Sequence, residues 1–196
     1  MHQPGVQVSP IRLLSGASPF NETVFENAIA PAADVIGGIN NGWTVGKRLL
    51  QFERSTHAGI NTSGSQGGRT QDSELPRQLA PYLSNQPALR RALTAHEMAF
   101  AAQRLTQKRV IEETAANAPG FASSAVKLSN ALITQAGDEL RIATLGTNGI
   151  GWSGDFQPEE LTATRTWLKQ KSLTIAGGTM EVQKNIIAKR VLGLPD

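Results

Sequence analysis

Two glycines and a threonine near the C-terminus are the first residues whose types and spacing could do chemistry. Gly177-Gly178-Thr179 precedes a segment with apolar residues four apart, such as Val182 and Ile186, and Glu181 suits the positive end of a helix dipole there. A glycine turn that opens a helix can bind a phosphate, because exposed amides and the dipole point the same way. The alternative is an ordinary N-cap, in which the threonine hydroxyl only accepts a bond from an orphan amide.

Glu53 is a second candidate, because its carboxylate could act as a base. It lies beside Arg54 in a segment with helical spacing, from Trp43 to about Thr62. Glu53 is one turn from Leu49, at the border of the apolar side, where partial desolvation raises the pKa of a carboxyl group. The alternative for Glu53 is a surface or helix-pair glutamate that bridges to His57 at i+4 or to a neighbouring arginine, and for Arg54 it is a solvated helix charge. The residues alone leave both interpretations open.

The composition of the 196-residue chain argues against several classes of site. It contains no cysteine, and its three histidines lack the spacing of a metal site. The net charge is +3, without the block of like charges typical of a nucleic-acid-binding tail. No stretch reaches the roughly 20 apolar residues of a membrane span, and no secretion signal is visible. We therefore expect a metal-free, cytoplasmic protein that binds neither nucleic acid nor membrane.

Amphipathic helices must position both candidates. After the helix that starts at Trp43, a Gly- and Ser-rich stretch at 63–75 predicts a loop or a broken helix. The sequence predicts further helices over 88–116, 121–145, about 158–171 and 179–191. The apolar stripe of the first of these includes Ile111, and that of the second includes Leu132. Helices of this number and length predict an antiparallel bundle.

Residues 5–30 have a different pattern, that of short strands separated by turns. They contain too few apolar residues to form a sheet alone, so they are typical of the end of a larger β-structure. The predicted fold is therefore mainly α, an antiparallel helical bundle preceded by a few β-strands. We expect a partial β-domain remnant and linker at 1–36 and the helical domain at 37–196.

The C-terminal stretch resembles the signature of the acyl-CoA dehydrogenase family. That signature is usually Gly-Gly-Thr-Ser-Glu-Ile-Gln, then Arg-Asn-Ile-Ile-Ala, then Val-Leu-Gly-Leu-Pro. This chain has the corresponding segments at 177–183, 184–188 and 191–195, reading GGTMEVQ, KNIIA and VLGLP. Its segment 37–43, GGINNGW, is also similar to the family directly before the first C-terminal helix. The resemblance covers nearly all of this chain and about the C-terminal half of a typical member.

The resemblance implies an oxidoreductase of fatty acid or lipid metabolism, an FAD-dependent flavoprotein that desaturates an acyl-CoA thioester. One branch of the family has a catalytic glutamate just before the Gly-Thr of the signature, where this chain has Gly177. A second branch carries its base in a Glu-Arg pair on the first C-terminal helix. By this resemblance Glu53 is the catalytic base and Arg54 borders the acyl-CoA pocket.

The resemblance also assigns cofactor contacts and partners. Gly178, Thr179 and Glu181 match signature positions that contact FAD in the family. The family's Arg-Phe-Gly segment is replaced around 86–91, and its glutamine and paired glycines are replaced at 145–149. We expect a homo- or hetero-oligomer with acyl-CoA dehydrogenase-type subunits, and an inactive chain when it is isolated. The alternative function is a non-catalytic assembly module or partner subunit derived from the family.

Overall fold

The computed structural model describes residues 3–57, 73–115 and 122–195, with side chains at 3–50, 73–113 and 124–195. The chain divides into two compact units, Met1–Phe52 and Glu53–Asp196. The domain boundary expected between residues 36 and 37 stays a prediction. The Gly- and Ser-rich stretch expected to be a loop lies outside the described residues up to residue 72.

The first unit begins with a β-hairpin. Strands β1 (Val6–Ile11) and β2 (Phe20–Phe25) pair antiparallel, with Val6 opposite Phe25 and Ile11 opposite Phe20. Val8, Val24 and Phe25 are exposed, so no other element within the described part of this unit covers these apolar side chains. This is the expected behaviour of strands with too few partners to make a sheet.

Helix α1 (Gly42–His57) follows the hairpin and a short 3₁₀ turn at Ala32–Asp34. Asn40 has a φ of 63°, a conformation that asparagine tolerates better than most residues. The side-chain amide of Asn41 donates to the carbonyl of Gly37 at 3.0 Å, and the Val45 amide donates to the Asn41 carbonyl. These bonds fix the point at which α1 starts.

The second unit is helical. Its helices are α2 (Leu75–Leu79), α3 (Pro87–Ala115), α4 (Ala122–Leu145), α5 (Pro158–Gln170) and α6 (Met180–Ile186). Helix α6 continues as a π-helical turn over Ile187–Val191. Helix α4 is central, because it packs against α2, α3, α5 and α6. The mainly α fold with a short β-part is therefore confirmed.

Helices α3 and α4 run antiparallel. The His96 ring lies 3.1 Å from the Ile133 carbonyl, and Gln103 donates to the Val126 carbonyl at 3.1 Å. Residue numbers that increase along α3 thus pair with residue numbers that decrease along α4. At one end of this pair, five buried leucines form the core cluster: Leu75, Leu79, Leu89, Leu93 and Leu140.

The structure corrects two members of the predicted apolar stripes. Val110 is buried and Ile111 is 46% exposed, because buried positions on α3 follow alternating steps of four and three residues. On α4, Leu132 is 47% exposed and its neighbour Ala131 is buried. Both mispredictions came from extending a spacing of four where the helix needed a step of three.

Candidate functional site

The turn before α6 is built as the sequence indicates. Gly177 and Gly178 have φ angles of +68° and +100°, in the region that glycine adopts without a steric penalty. Thr179 is the N-cap residue, and its hydroxyl oxygen accepts from the Val182 amide at 3.3 Å. The N-cap interpretation is therefore correct for Thr179. Binding of a ligand by this turn stays a prediction.

Glu181 lies in the first turn of α6 and is exposed. Its own backbone amide, and then the Thr179 hydroxyl, lower the pKa of its carboxyl group. Gly178, Thr179 and Glu181 are therefore brought together in one turn, where Gly178 and Thr179 are half-buried and the exposed Glu181 carboxylate lies beside the capping hydroxyl.

Two polar side chains, which the sequence did not predict as site residues, donate hydrogen bonds to backbone carbonyls of this turn. Gln183, 4% exposed, donates from Nε2 to the Gly177 carbonyl at 3.0 Å. Lys127 on α4 donates from Nζ to the Gly178 carbonyl and, at 3.3 Å, to the Leu173 carbonyl. The only sequence signal for Lys127 is a lysine among the small and apolar residues 125–128.

Glu53 and Arg54 belong to helix α1, as predicted. The structure describes their backbone but not their side chains. The apolar side of α1 is described one turn earlier. There Leu49 is 67% exposed and Leu50 is also exposed, as is Trp43 at the start of the helix. Dry surroundings for Glu53 therefore require more cover on this face than the described part of the first unit supplies.

The two segments that depart from the family pattern have structural roles in this chain. Near the start of α3, Arg90 donates to the Leu83 carbonyl at 2.9 Å. In the turn after α4, Asn148 donates to the Glu160 carboxylate at 2.6 Å, and Thr164 donates to the Gly149 carbonyl at 3.0 Å. These polar groups therefore stabilise the bundle itself.

A groove of about 900 Å³ lies between α2, α4 and α5, and several polar side chains line part of its mainly apolar surface. Asp138, 4% exposed, accepts from Arg141 Nη1 at 2.7 Å, and Arg141 Nε donates to Gln78 at 3.0 Å. Burial raises the pKa of Asp138, and the Arg141 guanidinium opposes that shift. Among the residues that the structure describes, none bonds the second, buried carboxylate oxygen of Asp138.

In the ranges that the structure describes, no group of three or more His, Cys, Asp or Glu residues could hold a metal ion. No helix in the same ranges is long and apolar enough to cross a bilayer.

The helical bundle and its capped Gly-Gly-Thr turn define the class of domain to which the chain belongs. Residues 40–192 match the family described as "Acyl-CoA dehydrogenase, C-terminal domain". The chain therefore belongs to the acyl-CoA dehydrogenase family. This match includes α1 with Glu53 and Arg54, and the turn before α6.

Known relatives support the same assignment. The chain is 34% identical to acyl-CoA dehydrogenase IpdE1 of Mycobacterium tuberculosis over all of its own length and 49% of that protein. It is similar in structure to the steroid ACAD Tcur3481-Tcur3483, with a TM-score of 0.78 and 22% identity. The match covers 98% of this chain and 50% of that one. It is also similar to a chain of the ChsE4-ChsE5 complex from Mycobacterium tuberculosis, with a TM-score of 0.68 and 20% identity. That match covers 98% of this chain and 50% of the other. The chain spans about half the length of the IpdE1 relatives that it matches.

Proposed function

We propose that this chain is the C-terminal part of an FAD-dependent acyl-CoA dehydrogenase, with Glu53 as the catalytic base. The supporting observation is that a Glu-Arg pair lies on α1 inside the matched residues, while Gly177 replaces the glutamate of the other branch. Because the chain spans about half of its relatives, the remainder comes from a longer polypeptide or from a partner subunit.

In the proposed reaction, the Glu53 carboxylate takes the proton from the carbon α to the thioester. The C–H bond at the β-carbon breaks with its electron pair, and a double bond forms between the two carbons. FAD, when bound, supplies the acceptor for that hydride. Arg54 borders the acyl-CoA. Proton removal by a positioned carboxylate contributes about 10²–10⁴-fold to the rate, provided that its pKa suits the task.

The turn before α6 has a donor set that fits the polar, hydroxyl-bearing part of FAD. All peptide bonds of the described residues are trans, so each carbonyl points opposite to the next amide. The Gly177 and Gly178 carbonyls are bonded to Gln183 and Lys127, and the amides of Gly178 and Thr179 therefore point away from those side chains. Gly178, Thr179 and Glu181 are the residues that would hold the cofactor.

The exposed side of α1 defines what the remainder of the enzyme must do. A carboxylate gains basicity when water is removed from around it, because burial disfavours its charged form. With Leu49 and Trp43 exposed here, the missing half has to cover α1 before Glu53 can work. This is why we expect the isolated chain to be inactive.

The experiment is the reduction of bound FAD by an acyl-CoA in the complete enzyme. The unsubstituted protein should be yellow and should lose its colour on addition of the thioester. Glu53→Gln should keep the colour and slow the reduction by about 10²–10⁴-fold. Glu22→Gln, an exposed glutamate on β2, is the control for loss of a carboxylate. A colourless complete protein, or full reduction of the Glu53→Gln variant, contradicts the proposal.

A second candidate, a non-catalytic assembly module, is favoured by the uncovered apolar surfaces. Helices α3 and α4 leave between them an open groove of about 620 Å³. It is lined mainly by small and apolar side chains, among them Ala92, Ala95, Ala99, Leu132, Ala136 and Ala143. This function predicts a stable oligomer by light scattering, no flavin and no effect of Glu53→Gln. Under either function we propose acyl-CoA dehydrogenase-type subunits as partners, and the ChsE4-ChsE5 complex supports pairing of two different chains.

A further inference from the structure

Lys127 on α4 joins two points of the chain on either side of the loop before α6. Its ammonium group donates to the carbonyl of Leu173, in the 3₁₀ turn after α5, and to that of Gly178, next to the N-cap. These residues are 46 and 51 positions away from Lys127 in sequence. The ammonium thus fixes both ends of the loop 174–178 to the central helix of the bundle.

The Lys127 side chain is half-buried, so its charge is partly removed from water. Removal of Lys127 from water lowers its pKa, so the charged form is held at a cost in solvation free energy. Both hydrogen-bond acceptors are backbone carbonyls, and a protonated lysine is a donor only. A hydrogen bond from a charged donor is about twice as strong as a neutral one, which offsets part of that cost.

Gln183 completes the support by holding the preceding peptide. Its Nε2 donates to the Gly177 carbonyl at 3.0 Å, so two consecutive carbonyls of the turn are fixed by side chains. A Cβ atom on Gly178 would lie 2.7 Å from this same Nε2. The glutamine therefore packs directly against the glycine that the turn requires.

We infer that Lys127 is a positioning residue: together with Gln183 it turns the amides of Gly178 and Thr179 towards the flavin cofactor. The inference rests on the proposed function for the identity of the ligand. Lys127 itself bonds the inner side of the turn, so it acts through the peptides of the loop. Loss of its ammonium should allow the 178–179 peptide unit to rotate. A smaller fraction of the protein molecules would then have the Gly178 and Thr179 amides oriented for FAD.

The test uses the complete enzyme with Lys127→Met, which keeps an unbranched apolar stem and removes the donor. The exposed Lys169→Met, in the last turn of α5, is the matched control. Two readouts are measured, hydrogen exchange of the apoprotein and FAD affinity by absorbance titration. The amides of Ala176 and Gln183 flank the turn and are bonded to the Ser172 and Thr179 carbonyls, so they report its opening.

For Lys127→Met we expect at least about tenfold faster exchange at Ala176 and Gln183 and about tenfold weaker FAD binding, since both charge-assisted bonds of the ammonium group, to the Leu173 and Gly178 carbonyls, are lost. Exchange in α3 should not change. This chain has no cysteine of its own. Once any cysteine of the remaining half is replaced, Lys127→Cys therefore supplies the single thiol, and its alkylation with 2-bromoethylamine restores an ammonium group of the same reach. Rescue by this reagent, but not by a neutral alkyl group, supports the inference.

Unchanged exchange at Ala176 and Gln183 overturns the role of Lys127 in holding the turn. Faster exchange with unchanged FAD affinity overturns its role towards the cofactor. If the unsubstituted enzyme binds no FAD, the proposed function fails, and the hydrogen-exchange result still decides whether Lys127 holds the turn. The two failures are therefore distinguishable.

Discussion

The hydroxyl group of Thr164 on α5 donates to the backbone carbonyl of Gly149 at 3.0 Å, and both residues are buried. The same hydroxyl lies 3.2 Å from the Glu160 carbonyl one turn earlier in its own helix. The bond to Gly149 connects α5 to the 3₁₀ turn at Gly146–Ile150, in the segment where the chain departs from the family pattern. In this chain, which lacks the family's usual paired glycines here, the Thr164 hydroxyl therefore stabilises the turn at Gly146–Ile150.

Thr164→Val should lower the free energy of unfolding by about 1–2 kcal/mol, because the buried carbonyl of Gly149 loses its partner while the side-chain volume is kept. Urea denaturation of the complete protein measures this difference. The control is Thr162→Val, because Thr162 is exposed and its hydroxyl donates to the Pro158 carbonyl of its own helix, a bond that joins no second element. Equal losses for the two variants would contradict the structural role of the Thr164 bond.

Gly151→Ala should also destabilise the fold, by about 1–3 kcal/mol, through overpacking. A Cβ atom at Gly151 would lie 2.7 Å from Cδ1 of the Phe156 ring. Thermal unfolding checks the loss, and Phe156→Leu in the same chain should recover part of it. Gly46→Ala is the control, since a Cβ at that position in α1 meets nothing within 4 Å and should stabilise the helix by about 0.5–1 kcal/mol. Destabilisation of the control to the same degree would mean that the Phe156 ring is not the cause.

The sequence was sufficient to predict the elements whose ends carry local signals. Pro87 and Pro158 mark the starts of α3 and α5, and Thr179 is the N-cap of α6. These signals act within a few residues, so they can be identified without knowledge of the neighbouring helices. The turn expected to contact FAD was found for the same reason.

What the sequence did not predict depends on contacts between distant residues. Gln103 is buried because its side chain bonds both the Val126 carbonyl and the Ser129 hydroxyl of α4. Lys127 reaches a loop about 50 residues later. A polar side chain in an amphipathic pattern is assigned to the solvent by default, and only the partner helix shows that it is satisfied inside.

Thr179→Ala should weaken α6 by about 1 kcal/mol, because the Val182 amide loses its capping acceptor. Thr179→Ser keeps the hydroxyl and should retain most of that stability. The Glu181 pKa offers a second readout, since the Thr179 hydroxyl contributes to lowering it. In Thr179→Ala, an NMR titration should find the Glu181 carboxyl pKa higher than in the unsubstituted protein. An unchanged Glu181 pKa would contradict the contact between these two side chains.

Asp138→Asn should change how stability depends on pH. Burial raises the native pKa of Asp138 above that of the unfolded chain, which is about 3.9. Below pH 3.9 the carboxyl is protonated in both states. As the pH rises towards the native pKa, the unfolded state ionises first and the native state loses stability. Asparagine has no proton to lose, so the variant should gain stability relative to the unsubstituted protein as the pH rises from about 3.9 towards the native Asp138 pKa, and it should keep that gain above it.

Urea denaturation at several pH values measures this difference, with the exposed Asp155→Asn as the control for loss of one carboxylate. Arg141→Met extends the test, because the Arg141 guanidinium opposes the rise in the Asp138 pKa. Removal of that charge should raise the Asp138 pKa further and extend the loss of stability to higher pH. If Asp138→Asn shows the same pH dependence as Asp155→Asn, desolvation does not govern the Asp138 carboxyl.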